Sequence, residues 1–184
     1  MKRYIAFFTF AAISSSLYAV SVQDLINQGK VMISKGVLDL SHHNITNLEG
    51  LQNIPKPASV KVIDLSHNSI INLNEDFFEP FKNAVMIDLS HNKVAEFIDD
   101  HFEDNKMLKK LNLAYNNISR MTRDALNDLH NLVEVDLRYN KLTQIPRGIA
   151  HDTKKNIKIM LGGNPIYQKI KELKQKMPKI NFVR

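Results

Sequence analysis

The chain of 184 residues contains no cysteine. Disulfides, thiolate metal sites and a lipid carried on an N-terminal cysteine are therefore excluded. A protein without such staples relies on its core, and about 165 residues beyond the first stretch can supply one. Long apolar runs are lacking too. The one at residues 4–13 carries Ile5, Phe7, Phe8 and Phe10, well short of the roughly 20 residues a spanning helix needs. Lys2 and Arg3 precede it, and Ser14, Ser15, Ser16, Leu17, Tyr18 and Ala19 follow. Charge, greasy stretch and small-residue end, in that order, describe a secretory leader cut after Ala19. An exported protein, periplasmic or secreted, is the expectation. A phosphate-cradling loop is also missing, because Gly162 and Gly163 stand without the surrounding pattern.

Charge is present but uneven. The net value of +6 conceals a basic end. Residues 154–184 hold nine Lys or Arg against one acid, Glu172, so the body before them is acidic on balance.

The informative presence is repetition. Asn68, Asn92, Asn116, Asn140 and Asn164 stand 24 residues apart, and a fixed period of this size marks a stacked repeat. Apolar rows keep step. Leu65, Leu89, Leu113, Leu137 and Leu161 lie three before each Asn, and Ile63, Ile87, Leu111, Val135 and Ile159 lie five before. Ile70, Val94, Ile118, Leu142 and Ile166 lie two after. Leu73, Phe97, Met121 and Ile145 lie five after, and Phe78, Phe102, Leu126 and the smaller Ala150 lie ten after. An earlier copy, VLDLSHHNITNL at residues 37–48, joins the apolar rows if His43 takes the Asn place; Asn44 would restore the period but throws those rows out of step.

Two apolar residues separated by one place put both side chains on one face of a short strand. A single coil cannot cover its own apolar edge, so coils must stack, strand beside strand about 4.8 Å apart. The tight corner after each strand turns backbone groups inward. Asn suits it, carrying donors and an acceptor on a short stem.

The segments LKKLNLAYNNISRM (residues 108–121) and LVEVDLRYNKLTQI (residues 132–145) resemble the leucine-rich repeat, L-x-x-L-x-L-x-x-N-x-L-x-x-L. The likeness extends over residues 37–166 as five to six coils of the family's 24-residue extracellular type. It implies an α/β repeat solenoid: a right-handed β/α superhelix, or horseshoe, with a parallel sheet on its concave side. Helical caps are expected at both ends. Residues 20–36 form the first, with Ser21, Val22, Gln23 and Asp24 reading as a reciprocal cap and Gly29 as a stop. Residues 167–184 form the second, where Ile166, Ile170, Leu173 and Met177 recur at helical spacing and Pro178 ends the run. The family often closes this end with cysteines; here apolar contact must serve.

On such a horseshoe the open strand positions line the concave side. The first three coils present Asp, Ser and His there: Asp39, Ser41 and His42; Asp64, Ser66 and His67; Asp88, Ser90 and His91. Later coils present Lys110, Tyr115, Glu134, Arg138 and Tyr139. Tyr and Arg carry much of the contact energy at interfaces. The expected protein-binding residues are therefore Tyr115, Arg138 and Tyr139, flanked by Asp88, His91 and Asp136, although Asp-Ser-His is also what the family commonly writes at its strands. A nucleophilic triad needs one Ser, one His, one acid and an oxyanion pocket. Three copies on an open ladder imply none, so no enzyme and no cofactor are expected. Two weaker alternatives remain. His42, His67 and His91 with Asp64 and Asp88 are suitable metal-ligand types. Lys169, Lys171, Lys174 and Lys176 share one side of the closing helix and could meet a membrane surface or polyanion. The scarcity of aromatics among them argues against nucleic acid.

Overall fold

A computed structural model describes residues 19–98, 101–146, 149 and 156–184 of the chain. Apart from Ala19, the expected leader lies outside the described residues, as does Ala150. The elements run β1 (Val20–Ser21), α1 (Val22–Asn27), β2 (Ile33–Ser34), β3 (Val37–Asp39), β4 (Ile45–Asn47), β5 (Val62–Asp64) and β6 (Met86–Asp88). They continue β7 (Glu96–Phe97), β8 (Lys110–Asn112), β9 (Arg120–Met121), β10 (Glu134–Asp136), β11 (Ile157–Met160), α2 (Ile170–Lys176) and β12 (Ile180–Val183).

Eight strands form one sheet in the order β12-β11-β10-β8-β6-β5-β3-β2. Every pair is parallel except β2 with β3. Ile63 faces Ile87, Ile87 faces Leu111, Leu111 faces Val135 and Val135 faces Ile159. Successive coils thus repeat at 24 residues. The first step is longer, since Leu38 faces Ile63, and this register puts His43 rather than Asn44 in the Asn place. The inward residues of these strands are all buried.

At each corner the Asn amide bonds to the backbone of two coils. Asn116 Nδ2 donates to the carbonyls of Leu89, Leu113 and Ala114, at 2.9, 3.1 and 3.3 Å. Its Oδ1 accepts from Val94 N–H at 2.9 Å. Asn92 and Asn140 repeat the pattern one coil earlier and one later. Asn164 keeps most of it. Asn68 Oδ1 accepts two bonds, from His43 and Ile45 N–H.

The return path of each coil differs from a β/α design. Among the described residues it contains turns and short 3-10 segments, with no α-helix between coils. The cause is a spacing of three. Phe78, Phe81 and Ala84 are buried, as are Phe102, Asn105 and Leu108, and Leu126, Leu129 and Leu132. Three residues per turn is the 3-10 period, and i→i−3 bonds such as Phe81 N–H to Phe78 O and Leu108 N–H to Asn105 O hold it. Asn105 interrupts the apolar series, yet its Nδ2 donates to the Phe78 and Phe81 carbonyls of the preceding coil. It is a second inward amide, on the opposite side from the strands.

At the N-terminal end, Ser21 and Asp24 cap α1 reciprocally, and Gly29 follows it with φ +65°. Val22 and Leu25 are buried and Ile26 packs partly against the core. At the C-terminal end the apolar spacing holds: Leu173 is buried, with Ile170 and Met177 packed against the core. The basic tail does more than trail. Residues 180–183 form a further parallel strand on β11, with Phe182 facing Ile159 and wholly buried.

Replacing Asn116 with Ala removes four bonds and leaves buried backbone carbonyls and an N–H without these partners. The expected loss is about 1–3 kcal/mol of unfolding free energy, measured by urea denaturation of the two proteins.

Candidate binding face and its aromatic column

The exit of each strand is built the same way. The residue four before the Asn turns its side-chain oxygen back to accept from the backbone N–H two residues on. Asp39 does so for Ser41, Asp64 for Ser66, Asp88 for Ser90, Asn112 for Ala114 and Asp136 for Arg138. These Asx turns account for the recurring acid as a local backbone cap. The Asp39 carboxyl is held below its ordinary range, first by the Ser41 N–H and then by the Ser41 hydroxyl. Ser66, Ser90 and Ala114 are buried, so in the second to fourth coils the place two before the Asn does not offer the contact surface expected of it.

The next residue is forced into the left-handed region. His42, His67, His91, Tyr115 and Tyr139 all have φ of 54–56°, a conformation costing most residues roughly 1–2 kcal/mol. Inter-coil bonds hold them there: His67 N–H donates to Ser90 O, His91 to Ala114 O, Tyr115 to Arg138 O and Tyr139 to Gly162 O. Five identical backbones in register aim five rings the same way. The result is one continuous column. Ring centroids lie 4.3, 4.1, 4.3 and 4.4 Å apart from His42 to Tyr139, with planes within 15° of parallel. The sixth coil places Gly163 here, with φ +77°; a Cβ on it would stand 2.6 Å from Tyr139 Cδ1. Glycine therefore lets the last ring lie against bare main chain.

At the tyrosine end the expected residues come together. Tyr115 and Tyr139 are 45% and 52% exposed. Burial, followed by the neighbouring Tyr139, raises the Tyr115 phenol above its usual value. Arg138 lies flat along Asp136, its Nε 3.0 Å from both carboxylate oxygens and its Nη2 2.6 Å from Oδ2. This pairing raises the arginine further. Asp136 is itself only 7% exposed, so it positions Arg138 rather than presenting a surface. Beside them Glu134 lies between Lys158 at 3.0 Å and Lys110 at 4.0 Å on the flanking strands.

Asp88 is half-buried and also accepts from Asn112 Nδ2 at 2.9 Å. His91 is exposed at its edge and sandwiched between His67 and Tyr115. Parallel imidazoles direct their ring nitrogens along parallel lines, which do not converge on a shared ion. Among the described residues no group of three His, Asp or Glu is placed to hold a metal. Lys169, Lys171, Lys174 and Lys176 are exposed, and Lys176 pairs with Glu172. No described helix is long and apolar enough to cross a membrane.

Sequence reasoning found the residues of the column but not the column. Its signal was a single row reading His, His, His, Tyr, Tyr, Gly, six coils in which only planar rings or glycine occupy one place.

A leucine rich repeat family model matches residues 88–142 and 106–166. None of the curated proteins matches the chain. Among solved structures, one described as a TLR13–ssRNA13 complex superposes with TM-score 0.64 at 26% identity, over 68% of this chain and 18% of its own. The Leptospira interrogans LRR protein LIC12759 superposes with TM-score 0.67 at 23% identity, over 80% of this chain and 36% of its own. The chain thus spans well under half the length of either. The family match and the neighbours agree on a repeat solenoid with a parallel sheet.

Gly163→Ala is expected to dislodge the Tyr139 ring. The readout is a changed near-ultraviolet tyrosine dichroism together with a stability loss of roughly 1–2 kcal/mol from the left-handed backbone alone.

Proposed function

We propose that this member of the leucine-rich repeat family is an exported scaffold that captures a protein partner on the open face of its sheet, at the Tyr115–Arg138–Tyr139 end. The observation that carries this reading is pre-organisation. Two half-exposed phenol rings are stacked on each other and on His91, and an arginine is clamped by a buried carboxylate. Rigid aromatic and arginine side chains lose little freedom on binding. Asp88 and His91 lie one coil away and extend the contact. The leader-like residues 1–19 support export.

The test is a Tyr115→Ala/Tyr139→Ala double variant of the protein beginning at Val20. A true partner is retained by the parent and loses at least about tenfold in affinity to the variant. Equal retention by both, with the variant still folded by circular dichroism, defeats the assignment.

A second reading places polyanions on the exposed lysines of α2. Lys171 and Lys174 in α2 and Lys169 just before it are exposed, and one similar structure is described as a complex with single-stranded RNA. Heparin and a single-stranded RNA oligomer should then bind with affinity falling steeply between 50 and 200 mM salt, as counterion release requires. Salt-independent binding, or binding unaltered in Lys171→Glu/Lys174→Glu, removes this reading.

A further inference from the structure

The ring column has two chemically different halves. Phenols as a class stay neutral through the physiological pH range, whereas imidazole changes its charge between about pH 5 and 8. Three imidazoles in sequence lie 4.3 and 4.1 Å apart with nearly parallel planes, His42 over one face of His67 and His91 over the other. Charge on neighbouring rings would be set like against like. Flat stacking is favourable between neutral rings and opposed between two imidazolium ions on neighbouring strands.

We propose that His42, His67 and His91 form a proton-sensitive segment of the binding face, stacked at neutral pH and pushed apart by acid, while the Tyr115–Tyr139 segment stays in place. The charges around it are those of its own coils. Asp39 and His43 stand by His42, Asp64 occupies the same row in the middle coil, Asp88 stands by His91, and the Tyr115 ring covers His91 from the far side. The three carboxylates are already engaged in their Asx turns, and Asp88 also accepts from Asn112. They soften the repulsion without pairing directly with each ring in the column.

His91 shows the direction. Burial first, then the charge of His67, holds its imidazole below the ordinary value, and Asp88 opposes them. A histidine whose folded value is depressed contributes stability that is complete above the unfolded value of about 6.5 and is lost as pH falls through the lower folded value. Acid therefore loosens the histidine half of the face and turns a row of neutral rings beside carboxylates into a cationic one. A partner held there at neutral pH would be released in an acidic setting. The inference concerns the free protein and stands apart from the partner reading above, because its test needs no partner.

Ring-proton NMR of the protein, titrated from pH 8 to 4.5, reads all three histidines. The expected result is titration over a range wider than independent sites give, with His91 below a free imidazole and loss of the His91–Tyr115 ring contact at low pH while the Tyr115–Tyr139 contact survives. His67→Tyr, a ring the fold already accepts at the same place in two other coils, should move the His91 midpoint up and reduce the loss of Tm between pH 7.5 and 5. Asp88→Asn, which keeps the Asx oxygen as Asn112 does, should move it down. Three superimposable single-site curves, an unmoved His91 in both variants, or ring contacts unchanged at pH 4.5 would overturn the proposal.

Discussion

The structure depends on the saturation of backbone polar groups at the corner that follows each strand. A chain that turns inward there buries carbonyls and N–H groups beyond the reach of any helix, and an unpaired group of that kind is costly. One asparagine per coil meets that need. Its amide donates to carbonyls of its own coil and of the preceding one, and its oxygen takes an N–H from the preceding coil. Because each amide spans two coils, no coil is complete without its neighbour. The parallel register and the burial of the apolar rows both rest on this coupling.

The same coupling produces the ring-bearing face of the stack. Once the corner is pinned, the residue before each asparagine has no freedom of backbone: it must be left-handed, and its N–H must reach the next coil. Ordinary side chains tolerate that poorly. Stacking of flat rings along the column offsets part of the strain, and where stacking ends the chain uses glycine. The exposed aromatic column is thus both a by-product of the scaffold and its most structured external feature. This bears on how repeated Asp-Ser-His should be understood. The acid caps the strand exit and the serine of the middle coils is buried, so in those coils the ring is the most exposed of the three.

The chemistry along this surface is graded rather than uniform. The early coils carry imidazole rings beside carboxylates. The later coils carry phenols, a clamped arginine, and a Lys–Glu–Lys row across three strands. Identical backbone geometry presents different chemistry at each step, which is how a repeat scaffold acquires a directional face.

The period of 24 and the apolar rows were legible in the chain because each coil repeats one constraint, and repetition multiplies a weak signal. The strand positions, the register through His43, the capping pair Ser21 and Asp24 and the helical spacing near the C-terminus follow from local rules of that kind. The three-residue spacing of Phe78, Phe81 and Ala84 was equally present, but only the geometry shows that it makes 3-10 turns in place of helices. Asn105 could not be read at all, since a lone polar residue in an apolar series gives no hint that carbonyls of another coil await it. The addition of residues 180–183 to the sheet, the burial of Asp136 under Arg138 and the stacking of five rings likewise belong to tertiary structure. Each depends on which groups from distant parts of the chain arrive within 3–5 Å of one another, and local pattern carries no record of that distance.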